Sequence, residues 1–209
     1  MRRGNLLVDE GIASLACPAR TGAKCARNDT DNAVIQIYRL TYRVNQFWRA
    51  LRTPARVVDT GQISPYLSPS QIALFRQMQP SEQWHASLVV QRLKDERQDH
   101  PDLLTAALLH DVGKILYPLS PLERAMIVLG KKFFPRLASR WGKGEPRDFR
   151  RPFVVAERHA EWGADLASRV GASTLTVNLI RRHQDVPLEK PRSSEDRLLR
   201  ALQSADDSK

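Results

Sequence analysis

Apolar residues recur along this chain with the period of a helix, and no segment shows the strict alternation of a half-buried strand bounded by turns. One clear stretch runs from Ala33 to Leu51, where Ile37, Leu40, Tyr42, Val44, Phe47, Trp48 and Leu51 return at near-helical intervals. It predicts an amphipathic helix that also carries Arg39, Arg43 and Arg49, with Arg52 just beyond. Such a helix either lies on a membrane or packs its stripe on its own domain, and packing is the expectation here. Two helix starts are explicit. Ser68-Pro69-Ser70-Gln71 and Ser120-Pro121-Leu122-Glu123 each supply an N-cap, a proline at the first helical position and a capping-box partner. Pro101 opens the apolar run Leu103 to Leu109, and Gly171 reads as a helix stop. Pro135, Gly142, Gly144 and Pro146 punctuate a later segment, predicting a helix followed by a loop. The fold class is therefore all-α. Residues 1–30 lack periodicity and predict a disordered extension. Residues 31–79 predict amphipathic helices packing on the core, and residues 80–209 a single helical-bundle domain.

Composition changes this picture little. The 209 residues suffice for one filled core, and 42% hydrophobic with 27% charged residues is ordinary for a globular protein. Uncharged apolar stretches are only a few residues long, against the roughly 20 a spanning helix needs, so no transmembrane segment is expected. Cys17 and Cys25 have seven residues between them, which matches no common zinc or redox spacing. They read as free thiols in a reducing compartment. Arg2, Arg3 and Leu15-Ala16-Cys17 resemble parts of a leader, but Asp9 and Glu10 interrupt the required apolar stretch. Cytoplasm is the expected location.

Charge changes it more. The net charge is +10, and the segment from Arg124 to Arg151 holds nine basic residues against Glu145 and Asp148. A run like this is either solvated surface or a face for anionic partners, including phosphates, nucleic acid and acidic headgroups. Aromatics there are few (Phe133, Phe134, Trp141, Phe149), so stacking on single-stranded nucleic acid is not favoured.

The five histidines carry the chemistry. His100 precedes Pro101 and shapes a helix start. The other four lie beside apolar residues at helical spacing. His85 shares a face with Leu88 and Val89, and His110 closes the run Leu104, Ala107, Leu108. His159 follows Val155 by four, and His183 follows Leu179 and Ile180 by four and three. Each imidazole thus faces the buried side of its own helix. A lone buried histidine is usually a satisfied core residue. Four at once need four partners, and a shared metal satisfies several together. In Leu108-Leu109-His110-Asp111-Val112-Gly113-Lys114, adjacent helical positions point about 100° apart. His110 and Asp111 can then take two positions on one ion, or the carboxylate can bridge two. Gly113 is expected to break the helix and to leave Lys114 at the mouth of the site, where a phosphate can sit.

The order of His85, His110-Asp111-Val112-Gly113-Lys114, His159-Ala160-Glu161-Trp162-Gly163, Arg182-His183-Gln184-Asp185 and Ser204-Ala205-Asp206 resembles the HD superfamily in its HDIG variant. The likeness spans roughly Pro80 to Asp207 and is greatest to members with two metals, such as HD-GYP phosphodiesterases and HD-type dinucleoside-polyphosphate hydrolases. It implies that His85, His110, Asp111 and Asp206 hold one ion, that Asp111 bridges, and that His159 and His183 hold a second. It also implies that Lys114 contacts substrate phosphate. Asp207 is the alternative to Asp206. After His183 the chain reads Gln184-Asp185-Val186-Pro187 rather than a second histidine and Gly-Tyr-Pro, which speaks against cyclic di-GMP. Arg158, Arg181 and Arg182 are further candidates for phosphate contact. The reaction implied is hydrolysis of a phosphoester or phosphoanhydride, in a nucleotide, by a metal-activated water, with Asp111 and Lys114 as the catalytic pair. The cofactor implied is one or two divalent transition ions, with iron, manganese, cobalt or nickel ahead of magnesium. A non-catalytic module that binds a nucleotide or metal for signalling is the competing reading. The segment Arg124 to Arg151 lies between two ligand helices and is expected to cover the substrate mouth.

Overall fold

Proline at the first helical turn marks one helix start after another, because its missing N–H is one the helix leaves unbonded anyway. The computed structural model describes residues 60–187 and 189–207. Expectations for residues 1–59, including the extension, the Ala33 to Leu51 helix and both cysteines, lie outside the described residues. The elements are α1 (Thr60–Ile63), α2 (Pro69–Phe75), α3 (Pro80–Asp95), α4 (Pro101–Leu109), a 3-10 turn (Val112–Leu116), α5 (Pro121–Phe133) and α6 (Pro135–Gly142). A second 3-10 turn (Asp148–Arg150) leads to α7 (Arg151–Arg169), α8 (Thr174–Arg182) and α9 (Ser194–Asp207). Among the described residues there is no strand, so the all-α class stands. None of their helices is long and apolar enough to cross a membrane.

Local chemistry explains the boundaries. Ser68 and Ser120 each form the expected capping box, with Gln71 and Glu123 returning a bond to the cap N–H. Ser173 caps α8 by accepting from Thr176 N–H at 3.0 Å. At the end of α7, Gly171 adopts φ 78°. There Ala172 N–H reaches Ala167 O at 3.0 Å and Gly171 N–H reaches Ser168 O at 3.1 Å. This double closure requires a left-handed residue, which glycine supplies without strain.

Two expectations need correction. The basic segment is not a helix followed by a loop: Pro135 begins α6 directly after α5, so two helices turn about Phe134. A proline read as an interruption is here an N1 residue. Gly113 does not break the helix either. Helix α4 ends at Leu109, His110 is its C-cap, Asp111 turns the chain at φ −94° and ψ 0°, and Gly113 lies inside the following 3-10 turn.

The main core gathers Val89, Leu93, Leu103, Leu108, Leu109, Val112, Leu179, Ile180 and Leu202 from α3, α4, the first 3-10 turn, α8 and α9. Helix α7 packs on that turn and on α8, while α9 closes over α3, α4 and α8. Helices α5 and α6 form a wing against the N-terminal half of α7. Gly130 lets α5 meet the Phe153 ring, and Trp141 packs on Phe153 with ring centroids 5.0 Å apart. Arg151 clamps the wing through Glu123 and Pro118 O.

Candidate metal centre

The site draws His110 and His183 from the ends of helices and His85 and His159 from the interiors of α3 and α7. His110 and His183 are the C-cap residues of α4 and α8. Each turns its ring back so that Nδ1–H donates to a carbonyl of its own last turn, Ala107 O at 2.9 Å and Ile180 O at 2.7 Å. Those carbonyls lack helical partners, so the imidazoles satisfy them. His159, in the middle of α7, does the same to Val155 O at 2.9 Å. A carbonyl can only accept, so in all three rings the proton sits on Nδ1 and the Nε2 lone pair points inward. This is the arrangement by which ligand imidazoles are oriented from behind.

The four rings form a chain. Centroids of His85 and His110 lie 5.4 Å apart, those of His110 and His183 5.2 Å, and those of His183 and His159 5.3 Å. Carboxylates line its sides. Asp206 Oδ1 is 2.7 Å from His85 Nε2 and 3.7 Å from His110 Nε2. Asp111 Oδ1 is 3.3 Å from His159 Nε2, and its Oδ2 is 3.6 Å from His110 Nε2. Two sets result, His85, His110 and Asp206 and then Asp111, His159 and His183, each with one ligand atom per residue within 4.8 Å of the others. Asp111 thus groups with His159 and His183 while remaining beside His110. Of the adjacent aspartates, Asp206 touches the histidines and Asp207 is exposed at the rim. Arg92 fixes this end of α9 through Ala205 O at 2.8 Å.

Electrostatics favour a cation at this place. Burial alone works to raise the Asp111 carboxyl, but Lys114 at 2.7 Å, with His110 and His159, holds it well below the usual carboxylate range. Burial would likewise raise Asp206, yet its bond to His85 and the neighbouring His110 bring it to about 2. Both stay anionic at neutral pH. Burial pushes the imidazoles the other way, lowering His159 and taking His183 to about 3. Protonation of these two rings is therefore disfavoured, and both stand neutral beside the Asp111 carboxylate. His110 Nε2 is fully buried without a hydrogen-bond partner, which costs free energy unless a cation accepts its lone pair. The donor set fits a divalent metal.

Three clefts adjoin the centre. One of about 320 Å³ is lined by Glu82, Lys114, Arg124 and the metal-facing residues His85, Asp111, His183 and Asp206. A second of about 570 Å³ extends past His183 and Asp206 to Lys131, Arg181 and Asp185. The third, about 230 Å³, reaches His159 between Lys114 and Ile127. Lys114 and Arg181 thus stand on cleft walls. Arg158 and Arg182 line none of the three. Arg158 pairs with Glu161 and covers the Trp162 ring, while Arg182 holds Glu195 at 2.8 Å and Asp196 at 3.0 Å at the start of α9. Of the basic segment, Arg124 and Lys131 reach the clefts.

Glu82 went unmarked in the sequence, hidden in the box Gln79-Pro80-Ser81-Glu82. One of its oxygens takes Gln79 N–H at 3.2 Å, and the other binds Arg124 at 2.9 Å across the cleft. Burial raises its carboxyl. Gln184 donates to His159 Nε2 at 3.2 Å, and Gln203 reaches the carbonyls of His183 and Asp185 at 3.3 and 2.9 Å. Nothing in the spacing marks these glutamines, because their partners come from other elements.

A family model described as HD domain matches residues 82–207, more than half of the chain. No curated protein and no solved structure matches it.

Proposed function

We propose, from the premise that the chain belongs to the HD domain family, that it is a metal-dependent hydrolase of a phosphoester or phosphoanhydride bond in a nucleotide. The observation that carries this reading is the buried His110 Nε2, unpartnered and facing Asp111 and Asp206. His85, His110 and Asp206 would hold one ion and Asp111, His159 and His183 another. Nitrogen and carboxylate donors without thiolate suit iron, manganese, cobalt or nickel better than magnesium. When bound, such ions supply Lewis acidity and make a water nucleophilic near neutral pH.

The chain's own residues do the rest. The carbonyl-tethered rings keep their lone pairs aimed at the ions without reorganisation. Lys114, beside Asp111 at the cleft, offsets charge building on the phosphoryl oxygens. Lys131 and Arg181 stand on the larger cleft among Glu157, Glu161 and Asp185, with Arg181 also 2.9 Å from Asp165, and the remainder of a phosphorylated small molecule would lie along it.

Elemental analysis of the purified chain, followed by a screen of nucleotides for phosphate release, tests the proposal. We expect bound transition metal, phosphate release with at least one nucleotide, and loss of both in His110→Ala. A well-folded chain that holds no divalent metal would refute the reading. Bound metal with nucleotide binding but no turnover would instead establish the non-catalytic module.

A further inference from the structure

Helix α5 faces the site on one side and solvent on the other. Gly130 sits on the Phe153 ring, and Arg124, Ile127 and Lys131 line the clefts. On the outer side Leu122, Leu129 and Phe133 follow at intervals of seven and four, with Met126 filling the gap in the stripe. Val128 stands beside them, and Phe134 and Leu137 continue the apolar exposure onto α6. Apart from half-buried Met126, these side chains are 45% to 72% exposed. They line none of the three clefts. Exposed apolar surface at this density marks an interaction site.

Charge identifies the occupant. Lys132, Arg136, Arg140 and Lys143 are exposed around the stripe, with Lys132 Nζ 5.4 Å from the Phe133 ring centroid. From Arg124 to Gly144 the chain contains no acidic residue. A second copy of this face is repelled by its own charge. The amphipathic segment Ala33 to Leu51 is also basic and free of acid, so it is repelled as well. Nucleic acid satisfies the charge but offers nothing to exposed leucine and valine. An anionic bilayer satisfies both requirements, and it accommodates a convex helical surface without a matching pocket.

We propose that the outer faces of α5 and α6 dock on an anionic lipid bilayer. Leu122, Leu129, Phe133, Phe134 and Leu137 enter the interface, and Lys132, Arg136, Arg140 and Lys143 meet headgroup phosphates. Helix α5 then serves as a wall of the clefts on one side and as a docking face on the other. This inference is independent of the reaction the metal centre performs.

The test is cosedimentation of the full chain with vesicles of phosphatidylglycerol and phosphatidylcholine in equal parts, and with phosphatidylcholine alone. Binding to the anionic vesicles only is expected. Leu122→Gln, Leu129→Gln and Phe133→Gln combined should lower that partitioning at least about ten-fold, with the helical circular dichroism unchanged. Arg136→Gln, Arg140→Gln and Lys143→Gln combined should remove the preference for anionic lipid. Absence of vesicle binding overturns the proposal. So does binding that neither variant changes, which places the contact elsewhere on the chain. Loss in the charge variant alone reduces the effect to surface adsorption and overturns it equally.

Discussion

At the Asp111 carboxylate, Lys114 Nζ lies at 2.7 Å and the Nε2 atoms of His159 and His110 at 3.3 and 3.6 Å, all with little access to solvent. A neutral isostere there removes the anion that balances cation and lone pairs together. Asp111→Asn should therefore bring metal content and phosphate release to background. Lys114→Met should keep the metal and slow turnover by about 10²- to 10³-fold. Equal metal loss in both would show that Lys114 only secures Asp111. His183 gives a pH signature. Burial, with repulsion from His110 and His159, takes it to about 3 in the fold, against 6.5 ordinarily. Below pH 6.5 the unfolded chain binds a proton that the fold refuses. The stabilisation is thus full above that pH and is lost progressively toward pH 3. Between pH 6.5 and 5.5 the metal-free protein should lose about 1 kcal/mol at this one group, and His159 acts in the same direction. Chemical denaturation after chelation should show that slope, and His183→Asn should reduce it. A flat profile would mean that the fold accepts the charged ring.

Between elements, the contact that matters most is backbone on backbone. A Cβ at Gly113 would lie 2.0 Å from His159 O and 2.7 Å from Gly163 N, so the first 3-10 turn and α7 touch directly. That contact sets Asp111 against His159. Gly113→Ala meets groups that cannot rotate away, so it should cost at least about 3 kcal/mol and lower metal content. Gly144→Ala, whose nearest neighbour is Trp141 O at 3.4 Å, should stay within about 0.5 kcal/mol. Equal tolerance at the two positions would contradict the close approach. The sequence read Gly113 as a helix breaker, whereas its role is close approach to a backbone that belongs to α7, some fifty residues on. The caps at Ser68 and Ser120 were legible because both partners lie within four residues. Pro135 misled because a proline that ends one helix looks the same as one that begins the next.

For the whole molecule, the α5–α6 wing beside the clefts carries five basic residues against Glu123 alone. Long-range attraction for an anionic substrate follows and weakens with salt. Neutralising Lys131, Lys132, Arg136 and Arg140 together should lower kcat/KM about ten-fold at low ionic strength and flatten its salt dependence, with metal content unchanged. Kinetics unaltered across a salt series would leave that charge to the docking face alone.

What the sequence determined by itself was local in origin. Helical periodicity, caps and the absence of strand patterning set the all-α class, and apolar neighbours at three and four residues placed each imidazole on the inner side of its helix. Those signals depend on residues within one or two turns, so they can be read along the chain. The tertiary structure alone decided which carboxylate stands with which ring. It grouped Asp111 with His159 and His183, and it turned Asp206 rather than Asp207 onto His85. It also tied Arg182 to Glu195 and Asp196 and set Glu82 against Arg124. Each of these pairings depends on how helices cross in space and on where their ends meet, and neither is encoded in the spacing of residues along any one helix.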